Sequence, residues 1–358
     1  MSAPGPILVT GAAGFIGYHV AWRLLERGRF VLGIDNLDSY YDVRLKQARL
    51  KRLAAFNGFR FERVDIADRT AIGKLFAAER FAAVVHLAAQ AGVRHSLTHP
   101  YAYLDANLTG FLNVLEGCRA QQCQHLVYAS SSSVYGANTK TPFATTDIAD
   151  HPLSLYGATK RANELMAHAY SHLFAIPATG VRFFTVYGPW GRPDMAIWKF
   201  TAAVLEGRPV PLFNDGRMRR DFTFIDDAAE AVVRMIERAP LGDPQWSGER
   251  PDPSRSKAPW RVYNIGNRRP IEVTEVLRLI EQATGCTARS ELLPMQAGDV
   301  TETCADVSDL ERDVGFRPSV GIEDGIRRFV TWYRDHLGEL QKGADSPGGR
   351  AHDRNLGL

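Results

Sequence analysis

The sequence predicts an α/β fold, a doubly wound parallel sheet followed by a smaller C-terminal α/β domain. In the first half of the chain, short apolar runs alternate with helical patterns, which is typical of βαβ units with parallel strands. After Gly188 the pattern becomes irregular and rich in proline. A chain of 358 residues, 45% of them hydrophobic, can form one large domain or two closely joined domains.

The predicted strands are apolar runs at residues 7–10, 30–35, 59–65, 83–87, 125–130 and 179–184. Between them, apolar residues recur at helical spacing over residues 15–27, 71–79, 106–118 and 156–173. We expect these helices to cover both faces of the sheet. Further helices are predicted at residues 196–206, 226–238, 273–284 and 322–336.

The segment that joins the first strand to the first helix is rich in glycine. It contains Gly11, Gly14, Phe15, Ile16 and Gly17, in a Gly-x-x-Gly-x-x-Gly spacing. Glycines at such a turn let backbone N–H groups approach a pyrophosphate at the positive end of a helix. The strand before this loop and the helix after it predict a Rossmann-like dinucleotide site against these five residues.

The second strand ends in residues that can select the cofactor. Asp35 is placed to accept hydrogen bonds from the adenosine ribose, and its charge would repel a 2′-phosphate. Asn36, which follows it, supplies no compensating cation, so NAD is favoured over NADP. Arg44 and Lys46, in what the pattern predicts to be a loop, leave NADP open. The residues predicted to flank the adenine follow the third strand: Asp65 and Ile66.

A tyrosine and a lysine lie four residues apart in Tyr156-Gly-Ala-Thr-Lys160. A helix places such a pair on one face, about 6 Å apart, where the ammonium favours the phenolate. The fifth predicted strand runs into Ser131, Ser132 and Ser133, at the sheet edge where ligands bind. Ser131 can bond a substrate oxygen and pass its proton to Tyr156. The alternative for Tyr156 and Lys160 is a solvated pair on a helix surface. The alternative for the serines is that their hydroxyls bond the backbone of a turn.

Together these residues resemble the extended short-chain dehydrogenase/reductase family, from about residue 7 to about residue 336. Ser131, Tyr156 and Lys160 match its catalytic triad, and the last two also touch the cofactor in that family. Asn107 stands at the family's structural asparagine position. The resemblance implies NAD as cofactor and a homodimer through helices 106–118 and 156–173. It also adds three cofactor-lining residues: Leu87, Ala88 and Ala89.

Within that family, residues 86–94, 182–195, 220–227 and 296–300 look like the corresponding runs of UDP-glucuronate 4-epimerases. The resemblance implies that Arg220 and Asp299 help to hold the diphosphate and uridine. It makes Arg192 the candidate for the substrate carboxylate, which a guanidinium fork can pair bidentately, while a surface ion pair is the alternative. The other predicted substrate residues are Arg94, Ser132, Ser133 and Thr185.

Two departures guide the choice of reaction. Ser132 and Ser133 stand where sugar dehydratases and decarboxylases of the family carry acidic residues, and Thr185 stands where UDP-galactose 4-epimerases typically have asparagine. The resemblance therefore implies NAD-dependent C4 epimerisation of UDP-glucuronate to UDP-galacturonate through a transient 4-keto sugar. The alternatives are C4 epimerisation of UDP-glucose or UDP-N-acetylglucosamine, decarboxylation of UDP-glucuronate, and a non-catalytic NAD-binding scaffold.

The same pattern predicts how the chain is divided. Residues 1–182 form an NAD-binding Rossmann-like domain, to which 226–240 and 262–268 return. Residues 183–225 and 269–340 form a nucleotide-sugar-binding domain. The stretch 241–260, rich in proline, serine and arginine, is predicted to be a mobile loop, and 341–358 a disordered tail.

Composition excludes several classes of partner. A formal charge of +3, from 43 basic and 40 acidic residues, is too small to predict nucleic acid or an anionic membrane surface. No apolar run approaches the roughly 20 residues of a spanning helix, so a cytoplasmic protein is expected. The four cysteines show neither metal-ligand spacing nor the density of a disulfide framework. His86, His95 and His99 lack an evident partner set, so no metal is predicted.

Overall fold

The computed structural model describes residues 5–296 and 298–341, and a seven-stranded parallel sheet lies at its centre. Its strand order is β10 (Trp260–Ile265), β6 (Ala178–Phe183), β5 (Leu126–Ser131), β4 (Ala83–His86), β1 (Ile7–Thr10), β2 (Val31–Asp35) and β3 (Phe59–Arg63). Successive strands are added on one side of β1 up to β3 and on the other side from β4, so the topological switch point lies between β1 and β4. Ligands of doubly wound sheets bind at the carboxyl ends of the strands at such a switch point. In chain order the strands are β1 (Ile7–Thr10), β2 (Val31–Asp35), β3 (Phe59–Arg63), β4 (Ala83–His86), β5 (Leu126–Ser131), β6 (Ala178–Phe183), β7 (Thr185–Tyr187), β8 (Pro209–Phe213), β9 (Arg219–Phe224), β10 (Trp260–Ile265), β11 (Pro270–Glu272) and β12 (Arg289–Leu293).

Helices cover both faces of this sheet. The adjacent β1 residues Leu8 and Val9 point to opposite faces and belong to two separate apolar clusters, one containing Val114 and the other Val20. The predicted α/β class and doubly wound sheet are therefore confirmed. The helices are α1 (Phe15–Glu26), α2 (Val43–Leu53), α3 (Arg69–Ala78), α4 (His95–Thr98), α5 (Pro100–Tyr103), α6 (Gly110–Gln121), α7 (Leu155–Phe174), α8 (Ala196–Leu205), α9 (Ile225–Ile236), α10 (Val273–Thr284), α11 (Ser308–Val314) and α12 (Ile322–Gln341).

Local sequence explains where the helix nearest the sheet edge begins. Ser154 precedes α7, and its hydroxyl accepts a hydrogen bond from the Gly157 N–H at 3.0 Å, as an N-cap residue does. The helix therefore begins just before Tyr156. A π-helical stretch, Leu104–Thr109, connects α5 to α6 and carries Asn107 inward, where it is 1% exposed.

The later part of the chain adds two small sheets, β11-β9-β7 and β12-β8. The buried carboxylate of Asp221 in β9 holds the nearby loops together. It accepts backbone N–H groups of Asn267 at 2.6 Å, Arg268 at 3.1 Å and Ala305 at 2.8 Å. Among residues 5–296 and 298–341, no helix combines the length and apolar character needed to cross a bilayer.

Arg44 and Lys46 were predicted to lie in a loop, and that prediction is wrong because both belong to α2. The buried positions of α2 are Leu45, Lys46, Arg49 and Leu53. They follow helical spacing, but two of the four are cationic, which hides the apolar period. Strands β8 and β12 and helix α11 were not predicted either.

The predicted domain boundaries stay predictions, although β10 does join the central sheet beside β6. Residues 241–259 contain no helix or strand, and the mobility predicted for 241–260 stays a prediction. The end of that stretch is packed, because Ser254 and Ser256 are buried. The predicted disordered tail, 341–358, lies outside the described residues except for Gln341, where α12 ends.

Candidate active site

The glycine-rich loop after β1 forms a cradle that larger residues would fill. Gly11 has a φ of +71°, and a Cβ there would lie 2.7 Å from the backbone N of Ala88. A Cβ on Gly14 would lie 2.9 Å from the Gly11 carbonyl oxygen, and one on Gly17 would overlap that oxygen. Gly14 starts α1 without a side-chain cap, so the first N–H groups of the helix remain available for an anion.

The two apolar residues of this loop have different environments. The Phe15 side chain is buried in the core, so its backbone rather than its ring can face a dinucleotide. Ile16 is partly buried.

The segment after β4 lies directly beside this cradle. The Thr10 hydroxyl accepts hydrogen bonds from the N–H groups of Leu87 at 3.2 Å and Ala88 at 3.1 Å. The same hydroxyl lies 2.9 Å from Nδ1 of His86, whose pKa burial lowers to about 3. His86 is thus a neutral structural residue. The backbones of Leu87 and Ala88 border the cradle at Gly11, and Ala89 is half-buried. Contact of these three residues with a cofactor stays a prediction.

The adenosine end of the predicted site lies at the ends of β2 and β3. Asp35 accepts the Leu37 N–H at 2.8 Å, and Asn36 donates to Asp65 at 3.0 Å. Asn36 and Asp65 also border an open cleft of about 490 Å³. Ile66 is buried and packs against α6 at Gly110, where a Cβ would lie 2.7 Å from its side chain.

The two cations that left NADP open are both paired with carboxylates. Lys46 is buried, and its Nζ lies 3.5 Å from Oδ1 of Asp35. Arg44 forms a fork with Asp42 in the first turn of α2. Since both charges are engaged within the protein, neither is placed as a free ligand for a 2′-phosphate.

The predicted catalytic residues meet where α7 begins. Gly157, the residue after Tyr156, has no room for a side chain, because a Cβ would lie 2.6 Å from the Ser133 carbonyl oxygen. This close approach brings Tyr156 against the serine turn. The Ser131 hydroxyl donates to Ser133 Oγ at 3.1 Å and accepts the Ser133 N–H at 3.2 Å. Lys160 is buried and donates from Nζ to the Ala129 carbonyl at 3.0 Å.

The helical spacing predicted that Lys160 favours the phenolate of Tyr156, but the surroundings of the phenol act mainly in the opposite direction. Burial raises the pKa of Tyr156, while the Ser131 hydroxyl and the Arg192 guanidinium act to lower it. Burial also lowers the pKa of Lys160 to about 8, and its ammonium bonds the Ala129 carbonyl. In the protein alone, burial thus opposes the phenolate form of Tyr156.

Asn107 connects this centre to the segment after β4. Its side chain accepts the Gln90 N–H at 2.8 Å and donates to the Gln90 carbonyl at 3.0 Å. It also donates to Thr159 Oγ1 at 3.0 Å, and that hydroxyl donates to the Tyr156 carbonyl at 2.9 Å. Asn107 thus fixes the segment after β4, at Gln90, relative to α7.

Sequence reasoning missed a buried ion pair beneath the predicted catalytic residues. Glu164 bonds Arg182 through both oxygens at 2.8 Å, and neither side chain is exposed (0%). Glu164 also accepts from Ser130 at 2.6 Å and Arg161 at 2.9 Å. Burial alone would raise the pKa of Glu164, but Arg182 and these hydrogen bonds hold it below its ordinary value. The missed signal was helical spacing, since Glu164 follows Lys160 by four residues.

Three of the predicted substrate residues form one cluster, brought together from distant parts of the chain. Arg220 donates to Asp299 at 3.0 Å, and Arg94 lies 3.5 Å from the other oxygen of the same carboxylate. The Arg94 guanidinium also lies 4.9 Å from the centre of the Phe213 ring. Two arginines, one carboxylate and an aromatic ring suit a diphosphate and the polar edge of a base.

Arg192 lies in a second group and is paired within the protein. It donates from Nε to Oδ1 of Asp194 at 3.0 Å and from Nη2 to Oδ2 at 2.5 Å. Tyr40, from the loop after β2, donates to Asp194 at 3.1 Å. The ion pair foreseen as the alternative thus exists, and it is partly buried rather than freely solvated. Asp194 and Tyr40 were not predicted.

The remaining predicted substrate residues, Ser132, Ser133 and Thr185, are half-buried, and Thr185 begins β7. His95 and His99 stack with ring centres 4.1 Å apart. In the part of the chain that the structure describes, no group of three or more histidine, cysteine or acidic side chains could hold a metal.

Comparison with known proteins places this geometry in context. Residues 7–252 match the family described as the NAD dependent epimerase/dehydratase family. A probable UDP-glucuronate 4-epimerase of Rhizobium meliloti (strain 1021) is 49% identical over 327 residues, which cover 91% of this chain and 96% of that protein.

Two solved structures show the same overall fold. The UDP-glucuronic acid 4-epimerase from Bacillus cereus, in complex with UDP-glucuronic acid and NAD, has a TM-score of 0.81 at 32% identity, over 92% of this chain and 99% of that chain. A UDP-glucose 4-epimerase from Thermotoga maritima, with UDP-glucose, also has a TM-score of 0.81, at 30% identity, over 93% of this chain and 99% of that chain. Since an acidic and a neutral sugar occur in equally similar structures, the substrate must be argued from side chains.

Proposed function

Because this chain belongs to the NAD-dependent epimerase/dehydratase family, we propose that it converts UDP-glucuronate to UDP-galacturonate by inverting C4. The observation that carries the proposal is the charge beside the catalytic tyrosine. Arg192 is near enough to lower the pKa of Tyr156, and the adjacent turn offers Ser132 and Ser133 instead of carboxylates. A cation and two hydroxyls suit a substrate carboxylate, and Arg192 keeps hydrogen-bond donors beyond the two that bind Asp194. The relative from Rhizobium meliloti supports the same substrate.

The residues present fit NAD, which when bound supplies a positively charged acceptor that takes hydride from C4 of the sugar and returns it. The cradle at Gly11 and the uncapped start of α1 suit the pyrophosphate. Asp35 suits the adenosine ribose. Lys160 has donor capacity beyond the Ala129 carbonyl, which suits the second ribose.

Proton transfer is the task of Tyr156. It removes the 4-hydroxyl proton, directly or through Ser131, as the C4 hydride leaves. Burial raises the pKa of the phenol, while Ser131 and Arg192 act to lower it. Lys160 and the positive charge of the bound cofactor would favour the phenolate further.

Inversion requires the 4-keto sugar to turn while its nucleotide stays in place. Arg94, Arg220 and Asp299 form the anchor for the nucleotide, and Arg192 belongs to a separate group of side chains. Rotation about the bonds to the diphosphate then presents the other face of C4 to the same hydride donor. Because a 4-keto sugar acid is a β-keto acid, the site must also hold the carboxylate against loss of carbon dioxide. We assign that role to Arg192, with the nearby serines.

The test is proton NMR of the purified protein with UDP-glucuronate and no added NAD, followed by the same assay with NAD supplied. UDP-galacturonate is the expected product, and Tyr156→Phe should form it far more slowly. A UDP-pentose or a 4-keto-pentose as the main product would assign a decarboxylase. No reaction even with added NAD would overturn the proposal, and UDP-glucose and UDP-N-acetylglucosamine would then be tested before the scaffold alternative.

We also propose a homodimer, supported by apolar side chains on the surface of the helices around α7. Tyr101 is 77% exposed and Leu165 57% exposed, and Leu97 and Leu112 are exposed as well. Sedimentation equilibrium should show a dimer that Leu165→Glu weakens, whereas a monomeric wild type would contradict the proposal.

A cytoplasmic location is proposed because Cys118, Cys123, Cys286 and Cys304 are free thiols in the structure.

A further inference from the structure

We propose that Asp194, held by Tyr40, is a positioning residue that turns Arg192 so that one edge of its guanidinium is open to the sugar carboxylate. The inference rests on the proposed function. It adds what the family resemblance does not give, a physical reason for the orientation of the carboxylate-binding arginine.

The geometry of the Arg192 ion pair leaves half of the guanidinium free. Asp194 takes the Nε–Nη2 edge, at 3.0 Å and 2.5 Å. Within residues 5–296 and 298–341, the hydrogen bonds of the Arg192 side chain both go to Asp194, from Nε and Nη2, so Nη1 keeps its donors. A guanidinium can bind carboxylates on two edges, so Arg192 can take the substrate on the Nη1–Nη2 edge without releasing Asp194.

Tyr40 fixes the position of Asp194 and the plane of Arg192. Its hydroxyl donates to Asp194 Oδ2 at 3.1 Å, and the guanidinium carbon of Arg192 lies 5.9 Å from the centre of the Tyr40 ring. Burial, together with the Asp194 charge, raises the pKa of Tyr40 to about 12. Tyr40 therefore remains a hydrogen-bond donor throughout the neutral range.

This group lies beside the catalytic centre. A Cβ on Gly92 would be 2.9 Å from the Tyr40 hydroxyl and 3.7 Å from the Tyr103 hydroxyl, so both tyrosines converge on that glycine. The Tyr103 ring in turn packs edge-on against Tyr156, with centres 6.1 Å apart.

The backbone before Arg192 is already immobilised by Arg49, a fully buried residue of α2. Arg49 donates to the carbonyls of Trp190 at 2.7 and 3.1 Å and of Gly191 at 2.9 Å. It also donates to the Ala13 carbonyl in the glycine-rich loop at 2.8 Å. With the backbone tied to the cofactor side, the remaining freedom of Arg192 lies in its side chain. Asp194 and Tyr40 remove that freedom.

The orientation of Arg192 affects chemistry as well as affinity. In the 4-keto acid, the C5–C6 bond can break, carbon dioxide leaves, and the electron pair passes to the C4 carbonyl as an enolate, which then takes a proton. That step requires the breaking bond to stand perpendicular to the carbonyl plane. A fixed guanidinium can hold the carboxylate away from this alignment. A freely rotating guanidinium would still attract the carboxylate, but it would not fix the orientation of the C5–C6 bond.

The experiment compares Asp194→Asn, Tyr40→Phe and Asp194→Glu with the wild-type holoenzyme on UDP-glucuronate. Asp215→Asn is the matched control, because Asp215 also pairs with an arginine two residues away, Arg217 at 2.8 Å, but on the exposed surface. Asp194→Asn should raise the KM for UDP-glucuronate about tenfold, because a misoriented Arg192 loses one charge-assisted hydrogen bond to the substrate carboxylate. It should also increase the fraction of decarboxylated product. Tyr40→Phe should act in the same direction more weakly, and Asp194→Glu should recover part of the loss.

A second measurement separates orientation from general damage. In a Tyr156→Phe background loaded with NAD, calorimetry should show that Asp194→Asn weakens UDP-glucuronate but leaves UDP-glucose unchanged, since that sugar has no carboxylate. Equal losses for both sugars would overturn the inference. So would a KM and product ratio equal to those of the Asp215→Asn control in an enzyme that epimerises UDP-glucuronate. A wild type that forms no UDP-galacturonate would instead overturn the proposed function, and the inference with it.

Discussion

Replacing Glu164 by glutamine should destabilise the protein far more than a comparable change at the surface. Glu164 faces Arg182 inside the protein, and both side chains are fully buried (0%). The Gln side chain keeps the shape but not the charge, so the guanidinium would stay buried without a counter-ion. Breaking a buried pair in this way costs about 3–5 kcal/mol. With an m-value of about 3 kcal/mol/M, the urea midpoint should fall by about 1–1.7 M.

The protein supplies a matched control in Glu230. This carboxylate also engages arginines, Arg23, Arg27 and Arg234, but it lies on the α1–α9 surface where its side chain is 15% exposed. Glu230→Gln should cost less than Glu164→Gln, because its arginine partners are 28–41% exposed and water can hydrate them once the carboxylate charge is lost. Equal midpoint shifts for the two variants would refute the argument from burial.

Two further results follow from the same pair. The double variant Glu164→Met/Arg182→Met should lose less stability than Glu164→Gln, because it removes both charges together. The pKa of Glu164 is below its ordinary value in the folded protein, so its contribution is present above the unfolded pKa of about 4.3 and is lost as pH falls. The penalty of Glu164→Gln should therefore shrink in acid, and a constant penalty would contradict this assignment.

Three other outcomes are expected. Tyr156→Phe should lower kcat by about 10²- to 10⁴-fold without loss of NAD binding by calorimetry, and near-normal turnover would exclude it as the base. Gly157→Ala should lower kcat because its Cβ would lie 2.6 Å from the Ser133 carbonyl, whereas Gly73→Ala, with nothing within 4 Å, should keep kcat and stabilise α3 by about 0.5–1 kcal/mol. The pKa of Lys160 is about 8, so kcat/KM should fall as pH rises through that value and the ammonium is lost; Lys160→Arg should move the fall upward, and an unmoved fall would assign it to another group.

The parts of the site that the sequence predicts are those encoded over a few residues. The glycine-rich loop, Asp35 and the Tyr156–Lys160 pair are local patterns whose meaning depends only on the strand or helix around them. Their confirmed setting, at the carboxyl edge of a doubly wound sheet, follows from the βαβ rhythm.

The parts that the sequence does not predict depend on contacts between distant residues. Arg49 bonds carbonyls 36 and 141 positions away, and Glu164 meets Arg182 across α7 and β6. Helix α2 escaped prediction because Lys46 and Arg49 occupy its buried face, where a periodic pattern requires apolar residues. Because this helix was missed, the sequence did not predict the contact of Lys46 with Asp35 or that of Arg49 with the glycine-rich loop.

The ionisation of Tyr156 is a second property that the sequence does not predict. Spacing alone places Lys160 on the same helix face as Tyr156, but it does not reveal that the ammonium bonds the Ala129 carbonyl or that burial opposes ionisation of the phenol. Desolvation depends on the whole fold, so the direction of a pKa shift cannot be read from two residues.

The most direct test of the account follows the hydrogen at C4. UDP-glucuronate carrying deuterium at C4 should give UDP-galacturonate that retains the label at C4, because the hydride leaves and returns within one closed site. Mass spectrometry and NMR of the product in ordinary water measure this retention. Loss of the label to solvent would show that C4 is inverted by exchange of a proton, and it would contradict the hydride mechanism on which the roles of Tyr156, Lys160 and Arg192 are built.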